Sequence, residues 1–171
     1  MENCNELNSN KKYKILFVCL GNICRSPSAE AVMKKLVADA GLQDRIFIDS
    51  AGIIGYHKGE QADSRMRAHA DRRGYRLDSI SRPVCTQDFF DFDLIIGMDN
   101  RNIEDLRDKA PSIETTKKIF RMMDFSQNSL YDHVPHPYYS GADGFELVLD
   151  LLEDACAGLL EAINSFSNQD N

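Results

Sequence analysis

The stretch Tyr13-Lys14-Ile15-Leu16-Phe17-Val18-Cys19-Leu20-Gly21-Asn22-Ile23-Cys24-Arg25-Ser26-Pro27 decides the fold. Its first part, YKILFV, is short, apolar and β-rich, and reads as a buried strand. Cys19 to Arg25 then makes a turn that contains Gly21 and Asn22. Ser26-Pro27 reads as a cap residue followed by proline at the first helical position, where a missing N–H costs nothing. Val32, Leu36 and Ala40, with Met33 and Val37 beside them, form an apolar stripe at helical spacing, and Gly41 closes it. The order is strand, tight turn, helix.

The pattern repeats along the chain. Arg45 to Ser50 reads as a strand and Asp63 to Arg73 as a polar helix ended by Gly74. Asp93 to Met98 is a further apolar strand, followed by a helix holding Ile103 and Leu106 that stops before Pro111. Lys118 to Met122 reads as a last short strand. Asp143 with Glu146 resembles a capping box. It opens a long helix with Phe145, Val148, Leu149, Leu152, Cys156, Leu159 and Ile163 on one face. Strands alternating with helices predict an α/β fold: one three-layer domain, a four-stranded parallel sheet with helices on both faces. Ligands of such sheets sit at the carboxyl ends of the strands, where Cys19 falls. The domain is expected over residues 12–165, with residues 1–11 a disordered tail and residues 166–171 a second one.

Composition narrows the function. At 171 residues the chain can bury one core, and its 43% hydrophobic and 27% charged residues suit a globular protein. A net charge of −7 and a pI near 5.1 argue against binding nucleic acid or anionic membrane, so any phosphate site must be local. No apolar run approaches the roughly 20 residues of a spanning helix, and Met1 to Lys12 has no signal-like apolar core. Five cysteines at irregular spacing suggest thiols in a reducing compartment, hence the cytoplasm. His57, His69 and His133 show no ligand spacing, so neither a metal nor another cofactor is expected. Cys85 and Cys156 lie in apolar patterns and are expected in the core.

The turn itself carries chemistry. Successive backbone N–H groups leading into a helix N-terminus make an anion-binding concavity, here running from Cys19 through Leu20, Gly21, Asn22, Ile23 and Cys24 to Arg25. Gly21 permits close backbone approach, and Asn22 suits a left-handed conformation. The N–H dipoles and the Arg25 guanidinium both favour the thiolate of Cys19, which is the nucleophilic form. Ser26 can donate a hydrogen bond to that sulfur and ease its later departure. Arg25, six positions on, can grip two phosphate oxygens in a planar fork, and the grip can tighten in the transition state. Taken singly, each of these residues better suits a structural role, a buried cysteine beside a strand and an ion-paired arginine. Together with the strand and the helix start they point to nucleophilic attack on a phosphate ester.

VCLGNICRSP after an N-terminal strand resembles the low-molecular-weight protein tyrosine phosphatase family, over about Lys14 to Ile163. Asp49-Ser50-Ala51-Gly52, Gly55-Tyr56-His57, Gly97-Met98-Asp99 and Pro137-Tyr138-Tyr139 extend the likeness. The resemblance implies that fold and a cytoplasmic, monomeric enzyme acting on phosphotyrosine proteins or small aryl phosphates. It implies Cys19 as nucleophile, Arg25 as phosphate ligand, Ser26 as thiolate-stabilising hydroxyl and an Asn22–Ser50 hydrogen bond that supports the loop. Leu20, Ile23, Tyr56, Tyr138 and Tyr139 would wall the slot for a phenyl ring. Cys24 would be a redox partner of Cys19, or else a small apolar wall residue. Tyr138 and Tyr139 would be kinase targets or, more blandly, rim packing.

One position departs from the family. The family's general acid is an aspartate before Pro-Tyr-Tyr, and here that place holds His136. An imidazolium can donate a proton, but the like charge of Arg25 would lower its pKa. Asp132 is a substitute acid if the loop is shifted. Arg65, Arg67, Arg72 and Arg73 read as a solvated basic face. Three rivals remain. Arsenate reduction on this fold needs two downstream cysteines, and Asp99 to Lys118 contains none. Phosphoarginine hydrolysis would favour threonine where Ile23 stands. A phosphotyrosine-binding module that has lost turnover through His136 is the third.

Overall fold

The computed structural model describes residues 12–139 and 141–169. Strands β1 (Tyr13–Cys19), β2 (Ile46–Gly52), β3 (Leu94–Gly97) and β4 (Ile119–Arg121) form one sheet in the order β2-β1-β3-β4, parallel throughout. Helices α1 (Arg25–Asp39), α2 (Ser64–Arg72), α3 (Asp88–Asp91), α4 (Asn100–Lys109), α5 (Ile113–Thr116) and α6 (Gly141–Gln169) cover it, with 3-10 turns at Met122–Phe125 and Pro137–Tyr139.

β1 is apolar on every residue from Ile15 to Cys19 because it is central and buried on both sides. Successive side chains alternate across the sheet. Ile15, Phe17 and Cys19 join Val32, Met66, Phe145 and Leu152 in one core. Leu16 and Val18 join Phe89, Ile95, Ile103 and Leu106 in the other. The chain leaves β1 toward β2 on one side and returns to β3 on the other. That topological switch leaves a crevice at the carboxyl end of β1, where Cys19 stands.

Several sequence expectations shift. Helix α1 begins at Arg25 with Cys24 at its N-cap and no side-chain cap bond, so Ser26 is not the cap but lies inside the first turn. Its hydroxyl is thereby free to serve the loop. Helix α6 starts at Gly141, before Asp143, and Glu146 turns to His69 and Arg73 rather than back to the helix start. It also runs on to Gln169, so residues 166–169 are helical and not a tail. The expected tail over residues 1–11, like residues 170–171, lies outside the described residues. Cys156 is in the core, but Cys85 is exposed, contrary to its apolar neighbourhood in sequence. Finally, α6 rides against the Met122–Phe125 turn so closely that a Cβ on Gly158 would overlap the Phe125 carbonyl oxygen.

Candidate active site

The loop after β1 is held from behind. Asn22 has φ of 57°, the one positive value outside glycine among the described residues. Its side chain repays that strain threefold: Nδ2 donates to Ser26 Oγ (2.8 Å) and Ser50 Oγ (2.9 Å), and Oδ1 accepts from Arg82 N–H (3.1 Å). Ser81 Oγ donates to the Gly21 carbonyl at 3.0 Å. The Arg82 guanidinium in turn bridges Asp49 and Asp88, each at 3.0 Å. Cys19 Sγ lies 3.0 Å from Ser26 Oγ. Among the described residues, no buried side-chain nitrogen or oxygen lacks a partner.

Arg25 is 2% exposed and fixed at one edge. Nη1 donates to Asp99 Oδ2 (2.6 Å) and to the Val134 carbonyl (3.0 Å), while Nη2 lies 3.2 Å from His136 Nε2. Asp99 itself caps α4 by accepting the Asn102 N–H. Burial would raise its carboxyl, but the bonds from Arg25 and Asn102 overcome burial and hold it below the usual carboxylate range. A guanidinium has no acceptor, so the His136 Nε2 facing it must carry the lone pair. Burial first, then the Arg25 charge, lower the His136 pKa, and Asp99 opposes them. Burial, and not the Arg25 charge expected from the sequence, is the larger cause.

Leu20, Ile23, Ile54, His57, His136 and Tyr138 surround the thiol, together with Gly21 and Cys24. Tyr56 is no wall residue: it is 82% exposed, its ring edge-on to His57 at 4.9 Å. Ile54 and His57 face inward in its place. His57 packs on the loop, 3.0 Å from where a Cβ of Gly21 would stand, and its Nδ1 is 2.6 Å from Glu60 Oε2. The Tyr139 side chain lies outside the described residues. Tyr138 Oη is 3.1 Å from Cys24 Sγ, and the Arg65 guanidinium sits 5.0 Å over the Tyr138 ring. Burial pushes the Cys24 thiol up to about 12, against the opposing Tyr138 bond, and burial likewise raises the Tyr138 hydroxyl. Both Cys19 and Cys24 are free thiols.

Other candidates fall away from the pocket. Asp132 is exposed and bonded to His133 at 2.7 Å. Arg73 is not part of a solvated face, for it grips Glu146, Asp150 and Glu153 of α6. Among the described residues no cluster of His, Cys, Asp or Glu could hold a metal ion, and no helix is long and apolar enough to cross a membrane. Sequence reasoning missed roles for Asp99, His57 and Arg82. Only Asp99 carried a signal, its place just beyond the carboxyl end of β3.

Residues 14–169 match the family described as low molecular weight phosphotyrosine protein phosphatase. The low molecular weight protein-tyrosine-phosphatase YfkJ of Bacillus subtilis is 44% identical over 150 residues, 87% of this chain and 94% of that one. The human low molecular weight phosphotyrosine protein phosphatase is 36% identical over 147 residues, 86% of this chain and 93% of its own. A crystal structure of protein tyrosine phosphatase from Entamoeba histolytica superposes with a TM-score of 0.89 at 51% identity, covering 91% of this chain and 99% of that one.

Proposed function

The chain belongs to the low molecular weight phosphotyrosine protein phosphatase family and is a phosphoric monoester hydrolase, and we propose that it cleaves phosphotyrosine and aryl phosphates through a phosphocysteine on Cys19. Its substrates under this reading are phosphotyrosine proteins or small aryl phosphates. The observation that carries the reading is that Cys19 and Arg25 line one pocket while the buried Ser26 hydroxyl backs the thiol. A thiol at the base of the loop touches Ser26 Oγ at 3.0 Å, and the Arg25 guanidinium is held beside it with one edge bound to Asp99.

Two steps follow. Cys19 Sγ attacks phosphorus in line with the phenolic oxygen; the S–P bond forms, the P–O bond breaks, and the phenol leaves with a proton from His136 or water. Main-chain N–H groups of residues 20–25 and the Arg25 edge not held by Asp99 bear the equatorial oxygens. Water then attacks phosphorus, the S–P bond breaks, and Ser26 steadies the departing sulfur. Because His136 Nε2 accepts from Arg25 before substrate binds, it must release that contact and take up a proton before it can donate one. Its lowered pKa keeps it largely neutral near pH 7. Phenols that leave without protonation are therefore the better substrates. Cys24 in this reading walls the pocket with its thiol bonded to Tyr138, and a Cys19–Cys24 disulfide would first have to break that bond.

Acid quench of the enzyme during turnover of labelled para-nitrophenyl phosphate should leave label on Cys19. Cys19→Ser should carry no label and lose turnover by about 10⁴-fold. Label-free protein with full turnover ends the phosphocysteine reading, and an inactive parent that still binds phosphotyrosine favours the binding module instead.

A further inference from the structure

Glu30 on α1 is a charged side chain only 6% exposed that does not line the pocket. One of its oxygens accepts from Lys34 Nζ at 2.7 Å, and the other accepts from the Ser50 hydroxyl at 2.7 Å. Ser50 begins a line of contacts that ends at the thiol: Ser50 Oγ to Asn22 Nδ2, Asn22 Nδ2 to Ser26 Oγ, and Ser26 Oγ to Cys19 Sγ, at 2.9, 2.8 and 3.0 Å.

We infer that Glu30 is a positioning residue, whose carboxylate sets the direction of every donor in this line so that the Ser26 proton points at the Cys19 sulfur. The number of available donors fixes the direction. An ionised carboxylate only accepts, so Ser50 must spend its single proton on Glu30 and can only accept from Asn22. The Asn22 amide must then present nitrogen to Ser50, and its second N–H goes to Ser26. The Arg82 N–H on Asn22 Oδ1 enforces the same orientation from the opposite end. Ser26, having accepted from Asn22, keeps its own proton for another acceptor. The choices are Cys19 Sγ at 3.0 Å and the Ala51 carbonyl at 3.5 Å, and the sulfur is nearer. Were the Ser50 proton turned inward, the amide would be driven to flip, and its oxygen would take the Ser26 proton from the sulfur.

The inference rests on Cys19 being the nucleophile. Glu30→Gln is nearly isosteric: with Lys34 on its carbonyl oxygen, its amide nitrogen faces Ser50 as a donor and reverses the line. We expect kcat for para-nitrophenyl phosphate to fall by about 3–10-fold, the worth of one hydrogen bond, with inhibition by inorganic phosphate unchanged. In a Ser26→Ala background the same substitution should cost nothing more, since the step it acts through is gone. Full activity of Glu30→Gln, weakened phosphate inhibition, or an equal loss in the Ser26→Ala background would each overturn the inference. Ser50→Ala carries the same expectations should Glu30→Gln not yield folded protein. Failure of the phosphocysteine reading would appear instead in the parent and in Cys19→Ser, measured in the same series.

Discussion

The phosphate loop and the segment between Leu130 and Tyr139 face each other across one pocket and are built by opposite means. Behind the first, groups from three separate stretches of chain meet in buried and half-buried hydrogen bonds: Asn22 with Ser26, Ser50 with Glu30, and the main-chain N–H of Arg82 with Asn22. The second leans on the body through separate single contacts, among them Tyr138 with Cys24 and Phe145 and His136 with Arg25. Val134 donates to the Met98 carbonyl and accepts from Arg25, while Leu130, Tyr131, Asp132 and His133 stand exposed. The difference separates two tasks. Holding a phosphate needs fixed dipoles, which only an over-determined backbone supplies. Delivering a proton, the part proposed for His136, needs a group that can change partners.

The contrast breaks most severely at its strongest point. Arg25→Lys keeps the charge but loses the planar fork and the simultaneous hold on Asp99, so kcat/KM for para-nitrophenyl phosphate should fall by about 10²–10³-fold. A loss confined to KM would show that only ground-state attraction was removed. Next comes stability. Asn22→Ala leaves a non-glycine residue at φ 57° and removes two buried hydrogen bonds and one half-buried one, which should lower unfolding free energy by about 2–4 kcal/mol. Leu130→Ala across the pocket should change it by less than about 0.5 kcal/mol. Equal midpoints in a urea titration of the two variants would erase the contrast.

The smallest effects test the side that carries His136. His136→Asp should raise phenyl phosphate hydrolysis about tenfold while changing para-nitrophenyl phosphate little, because only the poorer leaving group needs the proton. The parent enzyme should show the same dependence through pH. A lowered His136 pKa means that the donor form grows only as pH falls below the ordinary imidazole range, so the ratio of phenyl to para-nitrophenyl turnover should climb on acidification. Taking the ratio cancels the titration of groups common to both substrates. A ratio flat from pH 7.5 to about 5 would remove His136 as the donor.

Much of this was legible in the chain, for reasons that also mark the limit. β1 declares itself because a central strand is apolar on both faces, and the seven residues from Cys19 to Arg25 declare the loop because their chemistry is contiguous. Asp99, His57 and Arg82 arrive from other elements, and no periodicity announces a side chain that matters through one distant contact. Tyr56 fails by a single position: the turn after β2 sends Ile54 and His57 inward and Tyr56 out. Ser26 misled because Ser-Pro is common at helix starts, yet here the helix begins two residues earlier and the hydroxyl is diverted to the sulfur. Past Ile163 the sequence of α6 turns mostly polar, so no periodicity marks where the helix ends.

Gly158 has a reach that its lack of a side chain conceals. It is the fulcrum of α6, the point at which the helix rests directly on a carbonyl oxygen, and a methyl group there has no room. A rigid rod displaced at its fulcrum moves at its tip. Phe145, about 20 Å away along the same axis, supports the Tyr138 ring from beneath. Gly158→Ala should therefore alter KM for bulky aryl phosphates more than for para-nitrophenyl phosphate, so that the width of the slot is governed from the far end of the molecule.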